Sequence, residues 1–284
     1  MKLLKLEIEP LSSFGTYPKG DSFFGFFLYW LSRLGYSIEK LIEKEKIVFS
    51  DMMPRGYFYK PTLPLNCFLD INDDNFNQKR KKTKSIKWIR EEDLLNGNIK
   101  AIIEYEKQNF FKEKVDVKVH LNKLTNKTQK ELFTPFSQKE IEFLTPLWMF
   151  VYTDFEEKKL TEILNYIGKF GFGANSSLGK GKFRVNKIEE YKINQNGNFG
   201  LALSPLWTKK CGYYEVFTRF GKFYSTSKYL KKYVVLKDSG ALIKNANLIE
   251  GKILENGINN KSFIQAKSIM IPFKVDCIKG CNEN

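Results

Sequence analysis

The sequence has 284 residues, of which 42% are hydrophobic and 15% aromatic, so it can build a substantial core and is not an intrinsically disordered chain. A formal net charge of +15 favours a polyanionic partner, either a nucleic acid or an anionic membrane surface, although the Lys- and Asn-rich bias of an AT-rich genome would give the same surplus. Because the sequence shows no apolar run of about 18 residues and no signal peptide, we expect a soluble cytoplasmic protein and not a membrane protein.

The N-terminal part predicts a strand, a loop and a buried helix. Residues 3–9 alternate between apolar and charged side chains, which is typical of a half-buried strand. The apolar run 23–34 predicts a helix, with Asp21 or Ser22 as its N-cap and Gly35 at its C-terminus.

The following segments are shorter or more polar. We expect a short helix at 38–44, a strand at 47–49 and an extended edge at 52–65, where prolines disfavour a central strand. Residues 71–95 are rich in Lys and Arg, especially between Lys79 and Arg90, and are interpreted as an inserted, partly mobile segment. This basic segment fits a phosphate contact and a solvated surface equally well.

A hairpin or arm is predicted at about 115–135, before a second strand–helix–strand series. The alternating stretch 115–121 leads into a polar segment, and the apolar run 144–152 predicts a core strand. A helix at 156–167 and a strand at 182–188 follow. The resulting order, β-α-β then β-α-β, is the ferredoxin-like or RRM-like arrangement, so the predicted class is α+β with a first domain at 1–192.

The remaining residues, 193–284, predict a smaller β-rich domain. Helical periodicity is weak there, and glycine, serine and asparagine separate the predicted strands, which are residues 199–206, 213–220, 232–236 and 267–274.

The glycine- and lysine-rich loop at 168–182 is the clearest candidate for function. It joins a helix to a strand through about a dozen residues, whereas such connections usually have about 2–6. Glycines permit positive φ and close approach, and they can turn backbone N–H groups toward an anion. Basic side chains would contact phosphate and polar ones would hydrogen-bond phosphate or 2′-OH, while Phe170 and Phe172 would stack on bases or pack beneath the loop. The predicted contacts are the glycines Gly171, Gly173, Gly179 and Gly181, the basic residues Lys169, Lys180, Lys182 and Arg184, and Asn175, Ser176, Ser177 and Phe172.

The sequence offers little for catalysis. His120 is the single histidine, and alternation places it on the same strand face as Asp116 and Lys118, opposite a row of valines that we expect to be the buried face. A general-base role for His120 is the alternative, but no nucleophile elbow, metalloprotease or phosphate-loop motif accompanies it. We therefore expect a protein that is not an enzyme.

The four cysteines predict no metal site. Cys277 and Cys281 have C-x3-C spacing and would supply two ligands, but a structural zinc site needs four. We expect reduced, unpaired thiols at these positions and at Cys67 and Cys211, with no metal or other cofactor.

Two motifs together resemble one family. The sequences PLSSFGT at 10–16 and KGDSFFG at 19–25 resemble the start of the RAMP superfamily of CRISPR proteins. The sequence GFGANSSLGKGKF at 171–183 is similar to the glycine-rich loop of that superfamily, which ends in GKGxF. Further similarities at 54–64, 122–125, 203–206, 212–214 and 219–221 extend the resemblance to nearly the whole chain. In particular, these segments resemble the fourth subunit family of type III-A (Csm) effector complexes.

The resemblance implies two ferredoxin-like domains and a binding role without catalysis. The glycine-rich loop, the N-terminal loop and the arm would hold the 5′ handle of the guide RNA (crRNA). One face would meet the large polymerase-like Csm subunit, and another would meet a backbone Csm subunit. The additional RNA contacts implied in this way are Ser13, Phe14, Thr16, Lys19 and Gly20 in the N-terminal loop and Asn122, Lys123 and Thr125 in the arm. The NSSLG sequence departs from its relatives, so base-specific contacts are not carried over.

Two other functions remain open from the sequence. A RAMP-family endoribonuclease that processes precursor crRNA would need an acid–base set, which a chain with a single histidine supplies poorly. An RNA-binding protein that works alone, such as a ribosome-associated factor, would have the same charge and loop.

Overall fold

A computed structural model describes residues 1–43, 46–69, 75–119, 135–193, 197–221, 231–257, 262–275 and 277. Within these ranges the chain is α+β, as predicted, with antiparallel sheets and few helices. The helices are α1 (Gly20–Arg33), α2 (Ile38–Glu43), α3 (Phe76–Ser85), α4 (Glu91–Leu95) and α5 (Glu157–Gly168). The strands are β1 (Lys2–Pro10), β2 (Ile47–Phe49), β3 (Met53–Pro54), β4 (Tyr57–Tyr59), β5 (Trp88–Arg90), β6 (Phe111–Lys118), β7 (Phe136–Phe143), β8 (Leu147–Thr153), β9 (Phe183–Glu190), β10 (Phe199–Ala202), β11 (Gly212–Tyr213), β12 (Val216–Arg219), β13 (Val234–Lys237), β14 (Leu242–Lys244), β15 (Ile249–Glu255) and β16 (Phe263–Phe273).

The first sheet has the strand order β2-β8-β1-β9, with β3 also paired to β8. Helix α1 connects β1 to β2, and α5 connects β8 to β9, so the β-α-β, β-α-β order predicted from the sequence is present. Leu4, Leu6 and Ile8 of β1 are buried together with side chains of both helices. The alternation along β1 therefore buries one face of the strand beneath the helices.

Helix α1 ends as predicted but begins earlier. Tyr36 N–H donates to Leu31 O at 3.0 Å and Gly35 N–H donates to Ser32 O at 3.1 Å, which is the Schellman arrangement, and Gly35 has φ +83°. The N-cap is Lys19 and no side chain caps the helix, so the prediction of Asp21 or Ser22 was wrong. Asp21 lies in the first turn of the helix, where its carboxylate binds Arg219.

The C-terminal strands form a second sheet with the order β11-β14-β10-β16-β15. Of the strands predicted here, 199–206, 213–220 and 232–236 are shorter in the structure, and 267–274 belongs to the longer β16. Strands β14 and β15 were missed. Strand β15 contains Gly251 at φ +100°, where an added Cβ would lie 2.2 Å from Ala266 O, and this glycine interrupts the alternating pattern. In the described part of the chain after residue 190, strands are present and helices are not.

One hydrophobic core joins residues from both sides of the predicted boundary at 192. Leu3, Val48 and Phe150 from the first sheet pack in the same cluster as Leu201 and Ile271 from the second. Strand β16 also contacts α1 and β2. The two sheets therefore bury their apolar faces in a shared core.

The basic segment predicted at 71–95 is folded over most of its described length. It forms α3, β5 and α4, and β5 pairs with β4. Trp88, Ile89 and Leu94 are buried in the shared core, while most of the lysines on α3 are exposed. The apolar residues interspersed among the lysines anchor this segment to the first sheet.

Strands β6 and β7 form a two-stranded ribbon where the arm was predicted. Val115, Val117 and Val119 are exposed, so the expectation that they form a buried face was wrong. Glu140 of β7, which lies on the opposite face of the ribbon, is buried instead. Residues 120–134, with His120 and the predicted contacts Asn122, Lys123 and Thr125, lie outside the described residues.

The cysteines differ from the expectation of unpaired thiols. Cys67 and Cys277 are joined by a disulfide bond with a Cα–Cα distance of 5.4 Å, across a sequence separation of 210. Cys211 is free, and Cys281 lies outside the described residues. None of the described helices has the length and apolar character needed to span a membrane.

Candidate nucleic-acid interface

The glycine-rich loop has a backbone that most other residues would strain. Gly171, Gly173, Gly179 and Gly181 all have φ between +71° and +85°, and Asn175 has φ +63°. An added Cβ on Gly181 would lie 2.0 Å from Phe172 O, but one on Gly179 would meet nothing within 4 Å. Most of these glycines are therefore required by the packing of the loop itself, whereas Gly179 faces open space.

Many of the loop's N–H groups donate within the chain. Phe172 N–H bonds to Gly181 O at 2.8 Å, and Leu178 and Lys180 N–H both bond to Asn175 O, at 2.9 and 3.2 Å. Because these amides already donate hydrogen bonds within the chain, fewer N–H groups of the loop can bind an anion than the sequence predicted. The loop's side chains remain as the main means of contact with a phosphate.

The loop lies directly against the N-terminal loop, so the structure brings together the two motifs on which the sequence resemblance depends. Gly181 N–H donates to Ser13 O at 2.8 Å, and Lys182 N–H donates to Ser12 Oγ at 2.9 Å. Thr16 Oγ1 accepts from Ala174 N–H at 3.2 Å. The two loops form one continuous surface.

The β6/β7 ribbon closes the other side of the glycine-rich loop. The buried carboxylate of Glu140 accepts hydrogen bonds from Lys180 Nζ at 2.6 Å and Ser13 Oγ at 2.8 Å. Asn175 donates to Gln138 Oε1 at 2.9 Å. The hydrogen bond from Lys180 holds the pKa of Glu140 below its ordinary value. Lys180 is therefore paired within the protein, and Glu140 and Gln138 are members of this site that the sequence did not reveal.

Of the three phenylalanines in the two loops, Phe14 and Phe172 pack in the core and only Phe170 reaches solvent. Phe14 and Phe172 are buried, and Phe172 packs against Phe23 and Phe26 of α1. Neither ring is available to stack on a base. The sequence left two roles open for Phe172, stacking on a base or packing beneath the loop, and the structure shows the second. Phe170 is partly exposed and stacks on Trp30 with a centroid distance of 4.2 Å.

The groups that reach solvent form a basic rim. Lys169, Ser177 and Lys182 are exposed, and Thr16, Asn175 and Ser176 are half-buried. Arg184 is also exposed, and it donates to Glu9 Oε2 at 2.5 Å. We define the basic rim as Lys169, Lys182 and Arg184. Lys182 N–H bonds to Ser12 of the N-terminal loop, and Lys169 and Arg184 lie near the two ends of the glycine-rich loop in the sequence.

The predicted contacts Lys19 and Gly20 take part in a polar network around the buried Asp51. Gly20 N–H donates to Asp51 Oδ1 at 2.7 Å, and Lys19 pairs with Asp238. Asp51 Oδ2 also accepts from Tyr59 and from Ser239, at 2.8 and 2.6 Å. Burial raises the pKa of Asp51 to about 6, although Lys19 opposes the rise. This network joins the first turn of α1 to the second sheet.

A second buried charge pair lies beside that network. Asp21 is buried at the start of α1, and its two oxygens accept hydrogen bonds from Arg219 of β12 at 2.6 and 2.9 Å. Arg219 also bonds to Ser22 Oγ at 3.3 Å. An aspartate inside an apolar helix is a sequence signal for a buried partner, but nothing in the pattern pointed to Arg219.

The described part of the chain holds no group of three or more His, Cys, Asp or Glu side chains that could bind a metal ion.

The fold is similar to solved chains over nearly its whole length. No protein-family model matches the sequence, and no curated protein matches it. A chain in the crystal structure of the Csm1-Csm4 cassette in complex with cA4 has a TM-score of 0.64 and 15% identity, over 99% of this chain and 100% of that one. A chain in the Csm3-Csm4 subcomplex of the type III-A CRISPR-Cas interference complex has a TM-score of 0.56 and 18% identity, over 96% and 99%. This likeness confirms, at the level of the fold, the Csm4-like resemblance found in the sequence.

Proposed function

We propose that the chain is a non-catalytic RNA-binding scaffold subunit of a type III-A CRISPR interference complex. It would hold the 5′ handle of crRNA and join the large polymerase-like subunit to the backbone subunits, in the cytoplasm. The main support is that its fold matches, from end to end, chains found in a Csm1-Csm4 cassette and in a Csm3-Csm4 subcomplex. The net charge of +15 suits a partner made of RNA.

The architecture supports the ferredoxin-like interpretation of the first domain. The order β2-β8-β1-β9, with helices after the first and third strands of the unit, is that of a β-α-β-β-α-β fold. A second ferredoxin-like domain after residue 192 rests on the resemblance alone.

The basic rim supports RNA binding at the two loops. Lys169, Ser177 and Lys182 are all exposed, which suits contacts to phosphate and 2′-OH groups. Such contacts position an RNA without reading its sequence. Guide pairing would supply the sequence specificity in the complex.

Binding to a labelled crRNA tests this function, with a scrambled 5′ handle as the control RNA. The chain should bind the crRNA weakly alone, and its affinity should rise when the large and backbone subunits are added. This is expected because neighbouring subunits would complete the binding site for the 5′ handle. Equal affinity for both RNAs in the assembled complex would contradict handle binding. Tight binding by the chain alone, unchanged on assembly, would indicate an RNA-binding protein that works by itself.

A cleavage assay separates the scaffold from a processing nuclease. Incubation of the chain with repeat RNA in EDTA should leave the RNA intact, because the single histidine offers no acid–base pair. Specific cleavage that His120→Ala abolishes would instead establish the endoribonuclease.

A further inference from the structure

Strands β12 and β13 form a two-stranded ribbon with one apolar face open to solvent. Val216 of β12 is 67% exposed, and Val235 of β13 is 59% exposed. The register pairs Thr218 with Val235, and its continuation by one residue sets Phe220, which is 69% exposed, opposite Tyr233, which is 80% exposed. Side chains that alternate along paired strands share a face, so these residues form one patch. We define the ribbon face as Tyr214, Val216, Thr218, Phe220, Tyr233, Val235 and Lys237.

The opposite face fixes the ribbon to the body of the protein. Phe217 and Leu236 are paired across the strands and pack in a small cluster with Ile264 and Ala266. Lys19 lies 4.3 Å from the centre of the Phe217 ring. Together with the pair between Asp21 and Arg219, these contacts hold the ribbon against the body of the protein.

The outer edge of β12 lacks the usual protection of an edge strand. Among the described strands β12 pairs only with β13, Val216 and Thr218 of β12 are uncharged on the ribbon face, and Lys237 of β13 lies opposite Val216. Proteins normally protect such edges with lysine, proline or a bulge, because an exposed apolar edge pairs readily with another strand. A patch of this kind is typical of a surface that is buried in an assembly.

The chemistry of the patch favours a protein over RNA. Bases stack on flat rings, but the centre of the ribbon face consists of the branched side chains Val216 and Val235. Lys237 Nζ lies 4.4 Å from the centre of the Tyr214 ring and occupies one face of it. The other two rings, Phe220 and Tyr233, lie at one end of the ribbon and do not form a continuous stacking surface.

The charges around the patch favour a different chain over a second copy. Lys232 is exposed near one end of the ribbon, and Lys237 lies at the other. Two copies would bring these lysines together and would add the repulsion between two chains of charge +15. A partner with acidic side chains around an apolar centre would match both features.

We propose that the ribbon face docks another protein subunit, which presents an apolar surface edged by Asp or Glu and adds a strand to the free edge of β12. This inference rests on the proposed function, because it names the surface through which the chain joins its complex.

Assembly with purified subunits tests the inference. The full chain is titrated with the large polymerase-like subunit and, separately, with the backbone subunit. Val216→Lys and Val235→Lys should each weaken the binding of one subunit by about 30-fold or more, because a buried lysine would replace the apolar centre. Leu34→Lys is the matched control. It makes the same change at an exposed position beyond the far end of α1, about 20 Å from the end that Arg219 contacts, and should leave both affinities unchanged.

Hydrogen–deuterium exchange gives a second measurement that needs no variant. Residues 213–220 should gain protection in the complex. Normal assembly of both ribbon variants, or a loss of RNA affinity with assembly intact, would overturn the docking inference and leave the proposed function standing. Failure of the unsubstituted chain to bind either subunit would contradict both.

Discussion

Asp21 and Arg219 form a bidentate ion pair across 198 residues of sequence, with N–O distances of 2.6 and 2.9 Å. The pair ties the first turn of α1, which follows the N-terminal loop, to the strand that carries the ribbon face. Because α1 packs against the glycine-rich loop through Phe172, the same helix connects the basic rim with the second sheet. The candidate RNA surface and the candidate protein surface thus both contact α1.

Arg219→Ala should destabilise the protein by about 2 kcal/mol, because it leaves Asp21 buried without its partner while Arg219 itself is partly exposed. Urea unfolding measures the change. Arg55→Ala is the control, since its pair with Glu7 is more exposed and should cost less than about 1 kcal/mol. Equal effects of the two substitutions would show that the buried pair contributes no more than a surface pair.

Asp51 should make stability depend on pH in a defined direction. Burial raises its pKa to about 6 in the folded state from an ordinary value of 3.8, so the folded protein binds the proton more tightly than the unfolded chain. The contribution of Asp51 to stability therefore falls as the pH rises from about 4 to about 6, and it stays at its lower level above that. The unfolding free energies of the unsubstituted protein and of Asp51→Asn are measured across this pH range. As the pH rises, the unsubstituted protein should lose stability relative to Asp51→Asn. A constant difference would contradict the raised pKa.

Two glycines of the loop should respond differently to alanine. Gly181→Ala places a Cβ 2.0 Å from Phe172 O at φ +71°, and it should cost about 3 kcal/mol or more. Gly179→Ala meets nothing within 4 Å and should cost only about 1 kcal/mol from its positive φ. Thermal unfolding measures both. A Gly179→Ala variant that is stable but binds RNA poorly would show that the RNA backbone approaches at this position.

How much of this arrangement the sequence predicts depends on the range of the interactions. Local patterns predicted four elements: periodic spacing of apolar residues predicted β1 and α5, and continuous apolar runs predicted α1 and β8. The partner of Asp21 was not predictable, since ion pairs between distant residues leave no periodic trace. The carboxylate that neutralises Lys180 was missed for the same reason. The loop's glycines signalled an unusual backbone correctly, but the sequence could not show that internal packing needs most of them.

The disulfide bond should stabilise the chain measurably. Reduction, or Cys277→Ser, should lower the unfolding free energy by about 2–5 kcal/mol, because the bond closes a loop of 210 residues in the unfolded chain. Cys211→Ser is the control, because Cys211 is a free cysteine. This substitution should leave the unfolding free energy nearly unchanged. If reduction of the unsubstituted protein leaves its stability unchanged, the two sulfur atoms are not bonded in solution.

The central claim, that the basic rim holds RNA, is tested most directly by the salt dependence of crRNA binding in the assembled complex. Lys182→Ala should reduce the slope of log K against log salt by about 0.7, the value for one phosphate contact with a single strand. Lys180→Ala should leave the slope nearly unchanged, since Glu140 already pairs with Lys180, and Lys40→Ala on α2 controls for the loss of an exposed charge elsewhere. A slope that is the same for Lys182→Ala as for the unsubstituted complex would contradict phosphate contact at the rim.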